Sequence, residues 1–431
     1  MDTIFALASA PGRAGVSVFR VSGPKALEAA RSLCGHLGQE RVAVLRRIAS
    51  EGAEIDHGLV LWFGEGRSFT GETVVEFHCH GSPAVTMALS RALTGLGLRP
   101  AEPGEFTRRA LMNGKLDLTQ VEGLGDLIAA ETEAQLRQAQ RMMRGVLAEK
   151  AEAWRGGLLR AVALVEASLD FADEDVPVDV VPDVRAEVGA IRRELLEELG
   201  GFHAAERVRE GFEVAIVGPP NAGKSTLLNR LSGRDAAIVS SYAGTTRDVI
   251  EVRMNLSGLA VTFLDTAGLR EARDPVEAMG IARGVARANS ADLRVFLLEP
   301  AASSGPEFGD VQYHSDDIRV MGKADLLSDD AEAVSGLTGQ GVSELLARIS
   351  AVLSRRVAEA GTISHIRHRR SVEAAVESLG QAEAALAKDA IVLELVAEEL
   401  RAAIGALEQL VGRIGVEAVL GEVFAKFCIG K

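Results

Sequence analysis

The sequence predicts a multidomain protein in which an α/β domain is inserted into an otherwise helical region, behind an N-terminal α+β domain. Its 431 residues are enough for roughly two to four domains, each with a core of its own. Strand-like runs alternate with helical segments between residues 211 and 356, which predicts a parallel sheet covered by helices. The segments 119–210 and 357–431 show helical periodicity instead. We therefore expect domain boundaries near residues 118, 210 and 356.

Composition limits the class of protein. A hydrophobic content of 47% with 25% charged residues is typical of a soluble globular chain, and no apolar run reaches the roughly 20 residues of a membrane span. The apolar stretch 4–10 has no basic flank and is interpreted as a strand, not a signal peptide. Three scattered cysteines favour a reducing, cytoplasmic location. A net charge of −14 argues against non-specific nucleic-acid binding by the whole surface, although a local basic patch or a partner could contact RNA.

Local patterns predict the order of the elements. In the α/β segment we expect four strands, at residues 212–217, 260–264, 293–298 and 318–321. In the N-terminal domain we expect strands around 16–21 and 73–80. The helical region is predicted to contain one helical stretch from 119 to about 156 and a second helix around 158–169. Near the C-terminus, apolar residues at helical spacing form a stripe: Val396, Leu400, Ile404, Leu407 and Val411.

The segment Gly218-Pro219-Pro220-Asn221-Ala222-Gly223-Lys224-Ser225 has the spacing of a phosphate-binding P-loop. It follows a predicted strand and precedes a predicted helix, a context that disfavours a chance glycine-rich turn. Glycines let backbone N–H groups surround a phosphate, and the helix N-terminus adds its dipole. Lys224 is expected to contact the β- and γ-phosphates, and Ser225 to bind Mg²⁺. The predicted nucleotide-binding residues here are Asn221, Ala222, Gly223, Lys224, Ser225 and Thr226.

Further motifs follow in the order that a GTPase requires. Asp265-Thr266-Ala267-Gly268 ends a predicted strand, so that Asp265 can reach the Mg²⁺ shell and Gly268 the γ-phosphate. Gly244-Thr245-Thr246-Arg247-Asp248 supplies a switch threonine, Thr246, as a second Mg²⁺ ligand. Gly322-Lys323-Ala324-Asp325 places a carboxylate where it can accept hydrogen bonds from guanine, and Ser335-Gly336 resembles the last base-contacting loop. Together they favour guanine over adenine and predict a Ras-like P-loop GTPase domain.

Two positions depart from the usual GTPase pattern. Gly322 stands where an asparagine normally ties the base-reading loop to the P-loop, so guanine affinity or discrimination is expected to be weaker. Leu269 stands where Ras-type proteins carry the glutamine that orients the attacking water. Leucine cannot hydrogen-bond water, and catalysis must therefore be supported by other groups.

Beyond the nucleotide motifs, the sequence resembles the MnmE (TrmE) family of tRNA-modification GTPases, within the TrmE-Era-EngA-like GTPases. The resemblance includes Asn221, the 244–248 and 265–271 segments, and the C-terminal Phe427-Cys428-Ile429-Gly430-Lys431. It extends to the N-terminal part of the chain, in the segments 2–4, 69–76, 103–107 and 113–118. Because the similar segments span both ends and the middle, the resemblance covers the domain arrangement as well as the GTPase domain.

This resemblance implies a particular catalytic arrangement. A K⁺ ion beside the phosphates would be held by Asn221, Ser240, Tyr242 and Thr245, and would supply the positive charge that an arginine finger gives elsewhere. The GTPase domains of two subunits would meet across the nucleotide. Glu277 would orient the attacking water, and Arg270 would assist in the switch segment. The residues alone favour a different interpretation of Glu277, as a solvated carboxylate on a helix face.

The resemblance also implies a tRNA-modifying assembly. The N-terminal α+β domain would mediate homodimerisation and bind a 5-formyl- or methylene-tetrahydrofolate-type donor through Arg20, Glu76, Lys115 and Lys431; without the resemblance these would be surface ion pairs. An FAD-containing partner similar to MnmG would complete a heterotetramer that adds a carboxymethylaminomethyl-type group to the wobble uridine, U34, of tRNA. Cys428 would carry a reactive thiol, the alternative being a buried, unreactive one.

Two other classes of protein fit part of the sequence. A ribosome-assembly GTPase of the Era type would explain the nucleotide motifs and Leu269 but not the terminal motifs. An ATP-using P-loop protein would not need Asp325. His78-Cys79-His80 resembles a metal cluster, but alternate residues of a strand point to opposite faces, so a metal site is not predicted there.

Overall fold

The computed structural model describes residues 2–170, 180–234, 251–265, 275–299, 310–327, 332–414, 421, 423–424, 427 and 430, without the side chains of 170, 275–281 and 283. The chain forms two compact units. Unit 1 comprises residues 1–125, 142–159 and 401–431, and unit 2 comprises 126–141 and 160–400. This division is coarser than the four domains expected from the sequence, whose boundaries remain a prediction.

Unit 1 contains a six-stranded sheet of order β3-β4-β5-β2-β1-β6, antiparallel except for the β1–β6 pair. The strands are β1 (Ile4–Leu7), β2 (Ala14–Ser22), β3 (Val44–Ser50), β4 (Ala53–Phe63), β5 (Val74–Gly81) and β6 (Arg99–Pro100). The helices that lie wholly in this unit are α1 (Ala26–Cys34), α2 (Pro83–Gly95) and α3 (Glu105–Met112). The strands expected at 4–10, 16–21 and 73–80 are therefore confirmed.

One face of this sheet is apolar because strand residues alternate between its two sides. Phe19, Phe77 and Ile48 point into the core, where at most 1% of each residue is exposed, and pack with the inner faces of α1 and α2. Burying aromatic and branched aliphatic side chains contributes about 1.5–3 kcal/mol each. Helix α2 begins with Ser82, whose hydroxyl accepts a hydrogen bond from the Ala84 N–H, followed by a proline in the first turn.

A polar network joins the N-terminus to β6 and α3. Arg99 donates to Asp2 at 2.8 Å and to Glu105 at 2.7 Å, and Arg109 donates to Asp2 at 2.7 Å and to Glu105 at 3.0 Å. The hydrogen bond from Arg99 lowers the pKa of Asp2 from 3.8 to about 2. Burial by itself raises the pKa of Glu105, but hydrogen bonds from Arg99, the Glu102 N–H and Arg109 outweigh it, so this pKa is also lowered. The folded unit therefore favours the ionised form of both Asp2 and Glu105 over the protonated form.

We expect unit 1 to lose stability as the pH falls below the ordinary pKa of Asp2, 3.8. Because the folded state depresses these pKa values, the contribution of Asp2 is fully present above its ordinary pKa of 3.8 and is lost as the pH falls towards about 2. The substitution Arg99→Gln should flatten this dependence. Both tryptophans of the chain, Trp62 and Trp154, belong to unit 1, so tryptophan fluorescence reports the unfolding of this unit. Urea denaturation at several pH values between 5 and 2 then measures its free energy of unfolding, to within about 0.5 kcal/mol. Arg91→Gln, at an exposed position, is the control. If the free energy of unfolding fell as steeply with pH in Arg99→Gln as in the wild type, the contact between Arg99 and Asp2 would not be the cause of the acid sensitivity.

The helical segments include four whose residues belong partly to one unit and partly to the other. These and the remaining helices are α4 (Leu118–Ala129), α5 (Glu133–Met143), α6 (Val146–Asp170), α7 (Val181–Gly200), α8 (Phe202–Glu210), α9 (Lys224–Ser232), α10 (Pro275–Ser290), α11 (Val342–Val357), α12 (Ile366–Leu386) and α13 (Leu393–Val411). The four shared helices are α4, α5, α6 and α13. The expected division of 119–169 into two helices was wrong. The helices end near residues 130 and 144 instead. Helix α6 continues without interruption through Gly156 and Gly157, because two glycines inside a helix weaken it without ending it.

Unit 2 contains the second sheet, of order β12-β11-β10-β7-β9-β8. Its strands are β7 (Phe212–Val217), β8 (Glu251–Leu256), β9 (Leu259–Asp265), β10 (Leu293–Leu298), β11 (Ile318–Gly322) and β12 (Ala333–Val334). All neighbouring pairs are parallel except β8–β9. The four strands expected from the sequence are confirmed. Central strands β7 and β10 are buried on both faces, as continuous apolar runs predict for a sheet covered by helices on either side.

The connections of this sheet position the candidate site. Parallel strands end at the same edge, so the loops after β7, β9 and β11 meet there. Helices α9 and α11 pack on one face of the sheet, where Leu227, Leu228 and Leu231 of α9 lie in the same apolar core as Val342, Ile349 and Leu353 of α11.

The apolar stripe expected in 396–411 is confirmed as the buried side of α13. Among the residues described, no helix is long and apolar enough to cross a bilayer.

Candidate functional site

The loop between β7 and α9 has the geometry of an anion site. Gly218 lies so close to β10 that a Cβ atom there would be 2.7 Å from the Leu297 carbonyl oxygen, which only glycine avoids. Asn221 and Gly223 have positive φ angles of 64° and 101°, which turn the backbone around the loop. Helix α9 begins at Lys224, so its first N–H groups point into this loop. The sequence-predicted P-loop is therefore built as expected.

Lys224 is held at the loop itself. Only 8% of the residue is exposed, and its Nζ donates to the carbonyl oxygens of Gly218 at 2.8 Å and Pro219 at 2.9 Å. These contacts keep the ammonium beside the N–H groups that would surround a phosphate. A fixed positive charge in a largely desolvated position stabilises phosphate oxygens more strongly than a solvated lysine does.

Ser225 and Asp265 form the candidate Mg²⁺ site. The Ser225 hydroxyl donates to the Asp265 carboxylate at 2.9 Å, which joins the start of α9 to the end of β9. The other Asp265 oxygen, Oδ1, is buried and has no hydrogen-bond partner among the residues described. A buried carboxylate oxygen without a partner is costly unless something binds it. Hydroxyl and carboxylate oxygens are the ligands that Mg²⁺ prefers, so the donor set fits this ion.

A cavity of about 250 Å³ lies beside the P-loop, between α9 and the loops after β11 and β12. Eight of the predicted nucleotide-binding residues line it: Asn221, Ala222, Gly223, Thr226, Lys323, Asp325, Ser335 and Gly336. Leu297, Leu326 and Leu337 provide apolar walls suited to the faces of a flat base. The cavity thus joins the residues predicted to bind phosphate to those predicted to read guanine.

The Asp325 carboxylate, which is predicted to bind the guanine base, is held by a neighbouring serine. Ser335 Oγ donates to Asp325 Oδ1 at 2.5 Å and accepts from the Thr338 N–H at 3.2 Å. Lys323 has a left-handed conformation, with φ of 58°, and its Nζ lies 3.3 Å from Glu299 Oε1. The serine thus restrains one oxygen of a carboxylate that belongs to the lining of the cavity.

Several predicted residues lie outside the described part of the chain. They are Ser240, Tyr242, Thr245, Thr246, Thr266, Ala267, Gly268, Arg270, Cys428 and Lys431. Glu277 belongs to α10, but its side chain is not described. The K⁺ ligands, Asn221 included, remain predictions, as do the switch threonine and the water-orienting role of Glu277.

Two of the predicted folate-binding residues, Arg20 and Lys115, contact the loop of residues 64–72. Arg20 and Glu76 face each other on adjacent strands and form an ion pair at 3.0 Å. The Arg20 guanidinium also lies 5.5 Å from the centre of the Phe69 ring, a cation–π distance. Lys115 Nζ donates to the Gly66 carbonyl at 2.8 Å. Arg20 and Lys115 thus contact the same loop and Glu76 pairs with Arg20, so each of the three has a polar partner within the protein.

His78, Cys79 and His80 make separate contacts on their strand. Cys79 points into the core, and burial raises the pKa of its thiol to about 12, which keeps it protonated. His80 Nδ1 instead lies 2.8 Å from Asp56, and His78 lies 3.4 Å from Glu76. Within the described ranges, no group of three His, Cys, Asp or Glu side chains is arranged to hold a metal ion.

Sequence reasoning missed two groups of residues at the nucleotide site. The apolar walls of the cavity, including Leu297 and Leu326, belong to strand and loop positions that look like ordinary core. Arg230 on α9 contacts the loop after β12, as described below. No local pattern marks these residues, because their role depends on which loops meet at the edge of the sheet.

Two family models match the chain. The MnmE helical domain model matches residues 118–428, and the model of the GTP-binding protein TrmE N-terminus matches residues 3–115. A solved structure of an Era variant from Aquifex aeolicus bound to GDP and AlF4⁻ aligns with 32% of this chain and 56% of that one, at 25% identity and a TM-score of 0.26. At that TM-score the alignment carries no information about function.

Full-length relatives agree with the family models. The tRNA modification GTPases MnmE of Cereibacter sphaeroides and Ruegeria pomeroyi are each 56% identical to the chain, and that of Parvibaculum lavamentivorans is 50% identical. In each case the alignment covers 100% of both chains. Agreement over the entire length decides against the Era-type and ATP-using alternatives, which shared only the nucleotide motifs. The chain is a GTP hydrolase and belongs to the tRNA modification GTPase MnmE family.

Proposed function

We propose that the chain hydrolyses GTP at the edge of the second sheet and that hydrolysis drives modification of the tRNA wobble uridine, U34. The observation that carries the proposal is the Ser225–Asp265 contact, which places a candidate Mg²⁺ site beside the buried Lys224. On the other side of the P-loop, the cavity ends at Asp325, whose carboxylate can read guanine. Phosphate, metal and base can thus be bound by one continuous surface.

Different residues of the chain would bind the phosphates, bind the cations and orient the attacking water. Lys224 and the P-loop N–H groups bind the β- and γ-phosphates, while Ser225, Asp265 and Thr246 hold Mg²⁺. Asn221, Ser240, Tyr242 and Thr245 hold K⁺. Bound cations neutralise the charge that develops on the phosphate oxygens. Since Leu269 cannot orient water, we assign this role to Glu277, with Arg270 assisting, in a site completed when the GTPase domains of two subunits pair.

The remaining assignments concern the assembly. We propose a cytoplasmic homodimer, with the four domains expected from the sequence, that associates with an FAD-containing, MnmG-like partner into a heterotetramer. A tetrahydrofolate-type donor would bind at Arg20, Glu76, Lys115 and Lys431, and Cys428 would take part in the modification chemistry, which adds a carboxymethylaminomethyl-type group. The contacts of Arg20 and Lys115 with one loop, and the pairing of Glu76 with Arg20, support the folate site, because a carboxylate can pair with a pterin and cations with its glutamate tail.

GTP turnover in K⁺ and Na⁺ buffers tests the hydrolytic part of the proposal. We expect turnover about tenfold or more higher in K⁺, since a correctly coordinated cation stabilises charge at the phosphates. Asn221→Ala should remove the difference, and Glu277→Ala should lower turnover in both buffers. Asn229→Ala, at an exposed position of α9, is the matched control. Equal rates of the wild type in the two cations would overturn the proposed mechanism.

Nucleoside analysis of tRNA tests the biological part. Deleting the chain from its host should remove the modified wobble uridine from the affected tRNAs, and the unaltered chain should restore it. A Lys224→Ala chain should fail to restore it if hydrolysis is required. An unchanged wobble-nucleoside profile after deletion would contradict the assignment.

A further inference from the structure

Arg230 connects the helix that follows the P-loop to the loop that reads the base. It lies on the exposed side of α9, and its Nε donates to the Gly336 carbonyl at 3.1 Å. Its Nη2 donates to the next carbonyl, that of Leu337. A guanidinium presents several donors in a fixed plane, so one side chain can hold two successive carbonyl groups in a defined orientation.

The loop that Arg230 contacts is tightly packed. A Cβ atom at Gly336 would lie 2.5 Å from the Leu227 backbone nitrogen, so the loop backbone rests directly on α9. Ser335, one residue earlier, donates to the Asp325 carboxylate. Any shift of this loop along α9 would therefore move the serine and, through it, the carboxylate that faces the base.

On the opposite side of the cavity, no side chain can perform this function at position 322. Gly322 ends β11 immediately before Lys323 and packs against the P-loop: a Cβ atom there would lie 2.6 Å from the Ala222 carbonyl oxygen. Contact between these two loops is thus made through the backbone. An asparagine at position 322 would have to push the P-loop carbonyl away before its amide could bond to anything.

We infer that Arg230 is a positioning residue for guanine recognition, and that its hold on the Gly336 and Leu337 carbonyls supplies the side-chain connection to the P-loop helix that Gly322 cannot supply. The inference rests on the proposed nucleotide site. Its consequence is specific. Weakening the connection should reduce the ability of Asp325 to recognise the guanine 2-amino group and N1–H, more than it reduces binding of the phosphates.

Equilibrium binding of GDP, IDP and ADP to the full-length chain tests the inference. IDP lacks the 2-amino group, so the ratio of IDP to GDP dissociation constants measures recognition of that group. We expect Arg230→Gln to weaken GDP binding by about 5- to 20-fold, the effect of losing one or two charge-assisted hydrogen bonds at an exposed site, and to reduce the ratio. Arg230→Lys, which keeps the charge but not the planar fork, should have an intermediate effect.

The matched control is Arg234→Gln, because Arg234 is a nearby, half-buried arginine whose guanidinium donates to Ser343 Oγ at 3.4 Å. It should leave both constants near those of the wild type. Gly322→Asn is a second variant, expected to weaken GDP binding. Circular dichroism spectra should show that all variants are folded. A loss of affinity general to all three nucleotides would indicate a structural role and overturn the inference, as would an unchanged IDP-to-GDP ratio in Arg230→Gln or tighter GDP binding in Gly322→Asn.

The same measurements distinguish a failure of the nucleotide site itself. If the wild type shows no preference for GDP over ADP, or if Asp325→Asn leaves that preference intact, the proposed base site is wrong and the inference fails with it. If both of these results support the site and Arg230→Gln still binds the nucleotides like the wild type, only the inference about Arg230 is overturned.

Discussion

Replacing Lys224 by alanine is expected to lower kcat for GTP hydrolysis by about 100- to 1000-fold, the effect of removing one preorganised charged donor from a reacting phosphate. The lysine is nearly buried and is held by two P-loop carbonyls, so its charge needs little reorganisation when the reaction occurs. Without it, the charge that develops on the γ-phosphate oxygens would be stabilised only by the backbone and the bound cations. Phosphate release at saturating GTP measures the effect.

Two measurements make this result specific. Lys388→Ala, an exposed lysine after α12, should hydrolyse GTP at the wild-type rate. Unfolding midpoints should show that Lys224→Ala is folded, and a separate titration with GDP should show how much of the loss belongs to ground-state binding. A Lys224→Ala chain with nearly normal kcat would mean that the P-loop described here is not the site of hydrolysis.

The substitution Arg294→Met should destabilise the GTPase domain by about 3–5 kcal/mol, because it leaves a buried carboxylate without its counter-charge. Arg294 donates to Asp317 at 2.8 Å, and their side chains are 4% and 0% exposed. Its guanidinium also donates to the Ala291 carbonyl at 3.2 Å, just beyond the end of α10. Hydrogen exchange of the β10 amides in increasing urea reports the free energy of opening in this region.

Related variants separate the buried charge from general loss of packing. Asp317 also accepts the Arg294 and His314 backbone N–H groups, so the double variant Arg294→Met/Asp317→Leu should recover only part of the lost stability. Arg137→Met disrupts the ion pair between Arg137 and Glu133, whose side chains are 67% and 79% exposed. It should change the free energy of unfolding by about 0.5 kcal/mol or less. An Arg294→Met chain as stable as the Arg137→Met chain would show that the buried pair contributes little.

Much of the nucleotide site could be predicted because its chemistry is local in sequence. The P-loop follows β7, Asp265 is the last residue of β9 and Asp325 comes shortly after the end of β11, and parallel strands bring such positions to one edge. The strands β7 and β10 were predicted residue for residue, since a short apolar run between polar segments has few alternatives. The extent of α6 was not, because helical periodicity does not show whether two glycines end a helix.

By itself, the sequence determined the fold class, the position of the phosphate-binding loop and the preference for guanine, because each depends on the spacing of residues within a few turns of chain. Only the tertiary structure decided the contact of Arg230 with the base loop, the close approach of the Ala222 carbonyl to Gly322, and the burial of the Arg294–Asp317 pair. These contacts join segments far apart in the chain. Their geometry depends on how helices pack against the sheet, which neither the periodicity of the sequence nor a local motif predicts.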